Sequence, residues 1–280
     1  MLLTSFLFAL AAETPEAMSS SKLIALLAVA GALLAFAIWL ISSGKKEPDS
    51  LLVQGNRLSM AGQYAEAEQC YREALADESK LKPPLRARLL ICLGDALMDL
   101  DRYPESRQCL ETSLAIGDPR GSCRASLADW LLLQGSDPRR ALDLANQAVQ
   151  ASTDGLEEIT SIGRIGGHLA SIVRADGWAR RAWALALLGR QPESQESIDF
   201  ALKLAAPSLA ELSGDQRRDM AATVSLDRTC IYWHTGMALL AMGQTGKARE
   251  HFKIASDASP QTRCAARCRQ QLERLGTFGG

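Results

Sequence analysis

Apolar and polar residues follow two patterns along this chain, and the change falls near residue 45. From Leu23 to Ile41 there is no charged residue, and Trp39 carries the one strong hydrogen-bonding side chain. At about 1.5 Å of rise per residue, such a helix just crosses a hydrocarbon core of roughly 30 Å. A buried helix in a soluble core rarely presents so long an apolar surface on every side, so residues 22–43 are predicted to form one transmembrane helix. Lys22 on one flank, and Trp39, Lys45 and Lys46 on the other, suit the two interfaces. Residues 1–21 are expected to be a short apolar segment, signal-like or interfacial. Their opening "MLLTSFLFALAA" resembles a signal-peptide core but has no Lys or Arg before it, and Met18 is an alternative start. Residues 44–50 read as a linker and 51–280 as a helical domain.

Past the linker, the pattern becomes helical and repeats. "GNRLSMAGQYAEAEQCYREAL" begins at Gly55 and "GDALMDLDRYPESRQCLETSL" at Gly94. In each, an apolar residue follows the glycine by three places, and Tyr64 or Tyr103 follows by nine. Each stretch reads as a helix, a tight turn and a second helix. Ala67 or Ser106 allows the second helix to approach closely, and Tyr71 or Leu110 fills the space between.

This pattern resembles the tetratricopeptide repeat, a helical hairpin of about 34 residues. Further copies supply Leu127, Leu131, Gly135, Ala141, Ala145 and Ala148, then Trp178, Gly189, Ser194, Ile198, Ala201 and Pro207. Another contains Gly236, Leu239, Gly243, Ala248, Phe252, Ala255 and Pro260. The resemblance, over roughly residues 49–260, implies an all-α fold: a right-handed helical-hairpin solenoid of about five units. Insertions around "ESKLKPP" and before Trp178 and Tyr232 stretch the period and leave room for extended first helices in the last two units. The stretch through Gly166 and Gly167 reads either as one long helix or as a pair broken there. The amphipathic "QTRCAARCRQQLERLG" suits a C-terminal capping helix over the open end of the stack.

In this family the first helix of each unit lines a groove for a peptide or a partner helix. That resemblance places Asn56, Met60, Asp95, Met98, Asp99 and Asp129 on the groove wall, which reads as acidic with apolar patches. One subclass clamps carboxyl-terminal peptides with Lys and Asn side chains. Here Leu52 and Ile91 stand where polar contacts are needed, which argues against that clamp.

Composition narrows the remaining classes. The chain has 31 basic and 32 acidic residues, a net charge of −1, which argues against a general nucleic-acid binder. The cysteines number seven, an odd count spread through helical segments, and read as reduced and mostly packed thiols. "SIGRIGGH" lacks the Gly-Lys-Ser/Thr ending and the preceding strand of a phosphate loop. His251, Cys264 and Cys268 lack a fourth ligand at a zinc-like spacing. His168, His234 and His251 belong to no catalytic motif. No enzymatic activity, metal or cofactor is expected.

The expected function is a membrane-anchored scaffold or adaptor that recruits or organises protein partners at the cytoplasmic face. Lys45, Lys46 and Arg57 outweigh Lys22, which favours keeping the repeat body in the cytoplasm. The alternative is an extracytoplasmic assembly or quality-control factor for exported or membrane proteins. Ala25, Ala28, Gly31, Ala32 and Ala35 line one side of the predicted span, where a neighbouring span or a second copy can pack closely.

Overall fold

The computed structural model describes residues 47–77, 79, 81–117, 121–154, 164–205 and 214–277. The N-terminal segment, the predicted span and its small-residue face lie outside the described residues. Among the described residues, no helix is long and apolar enough to cross a membrane.

Residues 48–280 form one compact unit. Its described residues contain eleven helices and no strand. Ten of the helices pair as hairpins: α1 (Pro48–Met60) with α2 (Tyr64–Leu75), α3 (Pro83–Asp99) with α4 (Tyr103–Ile116), and α5 (Ser122–Gln134) with α6 (Pro138–Asp154). Two more pairs follow, α7 (Arg164–Leu187) with α8 (Gln191–Ala205) and α9 (Gly214–Ala241) with α10 (Thr245–Ala258), before the single helix α11 (Arg263–Thr277). The all-α helical-hairpin solenoid expected from the repeat is the observed architecture.

One turn chemistry repeats through all five hairpins. At the end of α1, the Gly62 N–H donates to the Ser59 carbonyl and the Gln63 N–H to the Leu58 carbonyl, which satisfies two otherwise orphaned carbonyls. Equivalent pairs of bonds close α3, α5, α7 and α9. The motif needs a residue in the left-handed region, and four hairpins place a glycine there. The second hairpin uses Asp101, at φ 60°, the one non-glycine residue with positive φ among the described residues.

Between the paired helices, a large side chain of the second lies across a glycine of the first. A Cβ on Gly55 would sit 2.4 Å from Tyr71 Cε1, and one on Gly236 would sit 2.6 Å from Phe252 Cε1. Leu110 crosses Gly94 in the same way. The Tyr71 hydroxyl donates to Asn56 Oδ1 at 2.9 Å, so this buried ring keeps its polar group satisfied. Ala67, Ser106, Ala141, Ser194 and Ala248, one in each second helix, are fully buried where the hairpin arms meet.

The later hairpins depart from the earlier ones in length. Helices α1 and α5 have 13 residues each, whereas α7 has 24 and α9 has 28. Helix α7 runs from Arg164 through Gly166 and Gly167, and the part of that stretch before it, residues 155–163, lies outside the described residues.

Helix α11 packs on α10 and α9, as a cap would, but it does more than close the open end. Its amino-terminal end returns to the first two hairpins. A Cβ on Gly62 would lie 2.3 Å from the Gln261 carbonyl oxygen, and the Arg263 N–H donates to the Tyr64 hydroxyl at 2.6 Å. Helix α9 also meets α1. Hairpin packs on hairpin along the row, and these contacts bring its end beside its beginning.

Candidate functional site

The first helices of the hairpins pack one beside the next, α1 to α3, α5, α7 and α9, and α11 continues the row. Charged side chains from three of them meet at its centre. Arg180 on α7 reaches Asp129 on α5, with Nε 2.8 Å from Oδ1 and Nη2 donating to Oδ2 at 2.8 Å. Arg180 also pairs with Asp176 one turn earlier on its own helix. His234 on α9 places Nε2 at 2.9 Å from Asp129 Oδ1 and Nδ1 at 3.0 Å from Asp176 Oδ1. Two carboxylates thus face two cations. The cations are well buried, with side-chain exposures of 11% for Arg180 and 3% for His234.

An imidazole with a carboxylate oxygen on each ring nitrogen is satisfied only when both nitrogens carry protons. Burial alone would lower the His234 pKa, but Asp129 and its hydrogen bonds push it up to about 9. Burial likewise opposes ionisation of Asp129, and Arg180 and His234 overcome it and hold that carboxyl well below its ordinary range. Asp176 is lowered for the same reasons.

Toward the first hairpins, the balance shifts to acid. Asp95 on α3 is pushed up to about 7 by burial, against the hydrogen bond with Ser126, while Asp99 and Asp129 raise it further. Asp99 is pushed up to about 6 by burial, with Arg267 and Arg263 opposing. Two arginines of α11 meet this acidic end. Arg267 Nη1 lies 3.6 Å from Asp99 Oδ1, and its Nη2 donates to the Met98 carbonyl at 3.2 Å. Arg263 pairs with Asp101. Gln261 donates to the Met60 carbonyl at 3.4 Å.

The residues expected to line the groove therefore have partners within the chain. The Asn56 amide accepts from Tyr71, Asp129 is held by Arg180 and His234, and Asp99 faces Arg267. Met98 is buried, and Met60 is partly buried beside the segment leading into α11. Sequence reasoning missed Asp176, Arg180, Arg263 and Arg267, and set His234 aside as scattered. The spacing of Asp176 to Arg180 and of Arg263 to Arg267, one helical turn each, was the available signal. Nothing local tied His234 to either aspartate.

The other weighed residues are placed apart. His251 Nδ1 lies 2.8 Å from Thr235 Oγ1, Cys268 is fully buried, and Cys264 faces Cys230 with 3.7 Å between the sulfurs. Trp183 and Trp233 pack edge to face in the core. Trp130 donates to the Tyr103 carbonyl at 2.8 Å, and Trp178 packs in a tilted contact, centroids 4.7 Å apart, against the exposed Phe200. That ring helps to wall a shallow outer depression on α8 with Pro192, Gln195, Glu196, Asp199 and Lys203.

No protein-family model matches the chain, and no curated protein matches it. Among solved structures, it is similar to a thermophilic tetratricopeptide-repeat protein of Thermus thermophilus at 19% identity and a TM-score of 0.48, over 81% of this chain and 98% of that one. It is also similar to YrrB, described as a tetratricopeptide-repeat protein with an unusual peptide-binding site, at 18% identity and 0.40, over 82% and 96%. The TPR2AB domain of yeast Sti1, solved as a pHSP90 complex, aligns at 15% identity and 0.31, over 81% and 96%.

Proposed function

We propose that this chain is a membrane-tethered protein-binding scaffold whose inner face receives a basic helical segment of a partner. The observation that carries the reading is the seat of α11, whose Arg263 and Arg267 lie against Asp101 and Asp99. A face that accepts a basic helix of its own chain has the charge and width to accept one from another. Asn56, Met60, Asp95, Met98, Asp99 and Asp129 are proposed as residues of that binding face. In this reading α11 competes with the partner, and binding requires its displacement.

The test separates the face from its occupant. A chain truncated after Ser259 is expected to bind a synthetic peptide of residues 260–277, more weakly as salt rises, whereas the full chain does not. Asp99→Asn with Asp101→Asn should reduce that binding at low salt. A truncated chain that remains helical and fails to bind the peptide at low salt would sink the reading.

The membrane part of the proposal rests on the apolar run at residues 22–43 and its flanking lysines. The same basic excess supports a cytoplasmic repeat body, and protease should reach it only in opened cells. Cleavage in intact cells would favour the extracytoplasmic alternative. Ala25, Ala28, Gly31, Ala32 and Ala35 are proposed to pack against another span. Ala28→Leu with Ala32→Leu should keep insertion and lose the crosslinked species.

A further inference from the structure

The contact between Cys230 and Cys264 takes no part in the binding reading, yet it joins two structures that reading treats as separable. Cys230 lies on α9 and Cys264 in the first turn of α11, and their sulfurs are 3.7 Å apart. Both residues are partly exposed, which distinguishes them from the fully buried Cys123 and Cys268. A disulfide requires about 2.05 Å between sulfurs, so closure demands about 1.6 Å of approach, within reach of side-chain rotation and a slight shift of α11. Cys264 also stands between Arg263 and Arg267, the two arginines that seat α11 on Asp101 and Asp99. A covalent bond at Cys264 therefore fixes the part of α11 that holds the acidic face.

We infer that Cys230 and Cys264 form a redox-controlled latch, in which a peroxide converts the two thiols to a disulfide and locks α11 against the inner face. The hydrogen bond with Cys230 lowers the Cys264 thiol below its ordinary range against the effects of burial and of Asp99, and Arg267 and His234 favour its anion. Burial instead pushes the Cys268 thiol up and keeps it protonated. The Cys264 thiolate attacks one oxygen of hydrogen peroxide and breaks the O–O bond, giving a sulfenic acid and, with one proton, water. The Cys230 sulfur then attacks the sulfenic sulfur, forming the S–S bond and expelling the hydroxyl, which leaves as a second water with the Cys230 proton. Both sulfurs are oxidised, and the peroxide takes up the two electrons. The latch does not depend on the identity of any partner, and its test reads the bond and the mobility of α11 rather than binding.

The full chain in detergent is treated with a modest excess of hydrogen peroxide, alkylated and digested with trypsin. Cleavage after Arg263 and Arg267 isolates Cys264 from Cys268, so the expected product joins fragment 229–247 to fragment 264–267. Amide hydrogen exchange across residues 263–277 should slow by at least about tenfold, because local opening of α11 is blocked. Dithiothreitol should restore both the separate fragments and the original exchange. Cys230→Ser should show neither the joined fragment nor the slowing. Pairing of Cys264 with another cysteine, oxidation of Cys264 to a sulfinic acid without a crosslink, or a crosslink that leaves α11 exchange unchanged would each overturn the proposal. The wild-type digest and its reversal decide the matter even if the serine variant folds poorly.

Discussion

Two four-membered charge networks in this protein have the same composition in kind and nearly the same distances, yet their cations sit in opposite environments. On the outer side, Glu68 and Arg72 of α2 and Glu105 of α4 meet one another and Arg102, which precedes α4, at 2.6 to 3.1 Å. On the inner row, Asp129 and Asp176 face Arg180 and His234, with His234 contacts of 2.9 and 3.0 Å. Arg72 and Glu105 keep 49% and 47% of their side-chain surface in water, so solvent and salt screen them and release costs little. Arg180 and His234 are surrounded by protein, where an unpaired charge has no water to fall back on. Distance alone does not rank these pairs; access to solvent does.

Breaking the inner network should give the largest effect. Arg180→Met leaves Asp129 and Asp176 with His234 as their remaining cation from the quartet, and should destabilise the fold by about 3–5 kcal/mol. Urea denaturation of the protein and variant measures it, and a loss below about 1 kcal/mol would erase the contrast between the two networks.

The second effect is a pH dependence. The His234 pKa in the folded protein, about 9, lies above the ordinary histidine value of 6.5, so its contribution is fully present below pH 6.5 and is lost as pH rises through 9. The loss should be on the order of 2 kcal/mol between these limits. His234→Gln should flatten that part of the profile. An unchanged slope in the variant would assign it to other groups.

Asp95 extends the contrast because it is a half-buried carboxylate without a direct cation partner among its main influences. Its folded pKa, about 7, is raised from 3.8, so its ionisation opposes folding as pH climbs from 3.8 to 7. Asp95→Asn should stabilise the protein by about 1 kcal/mol at pH 8 and have almost no effect at pH 3.5. A variant less stable at pH 8 would show that the carboxylate makes a contact worth more than its burial.

The smallest change belongs to the outer network. Glu105→Gln should leave the denaturation midpoint unmoved at physiological salt. A clear drop that persists at high salt would mean the outer pairs act as a unit despite their exposure.

The hairpins themselves were legible along the chain. Gly55 with Tyr71, Gly94 with Leu110 and Gly236 with Phe252 recur at one spacing, and each pair meets in the structure. The turn glycines mark where the first helix ends, and Asp101 was the single departure from glycine in that series. The inner quartet was not legible. Arg180 reaches Asp129 across 51 residues, and His234 reaches Asp176 across 58. Acidic groove positions were visible, but the cations that face Asp99 and Asp129 were not, because those cations come from later helices.

The division has a physical basis. Helix periodicity, the left-handed turn and a large side chain over a glycine all act within one hairpin, so residues close in sequence suffice to determine them. The meeting of Arg263 with Tyr64, 199 residues apart, depends on how each hairpin packs against the next, summed along the row. Residues within one hairpin fix the repeating unit, whereas the packing of hairpin on hairpin turns the row back on itself and seats its own basic helix on the acidic face.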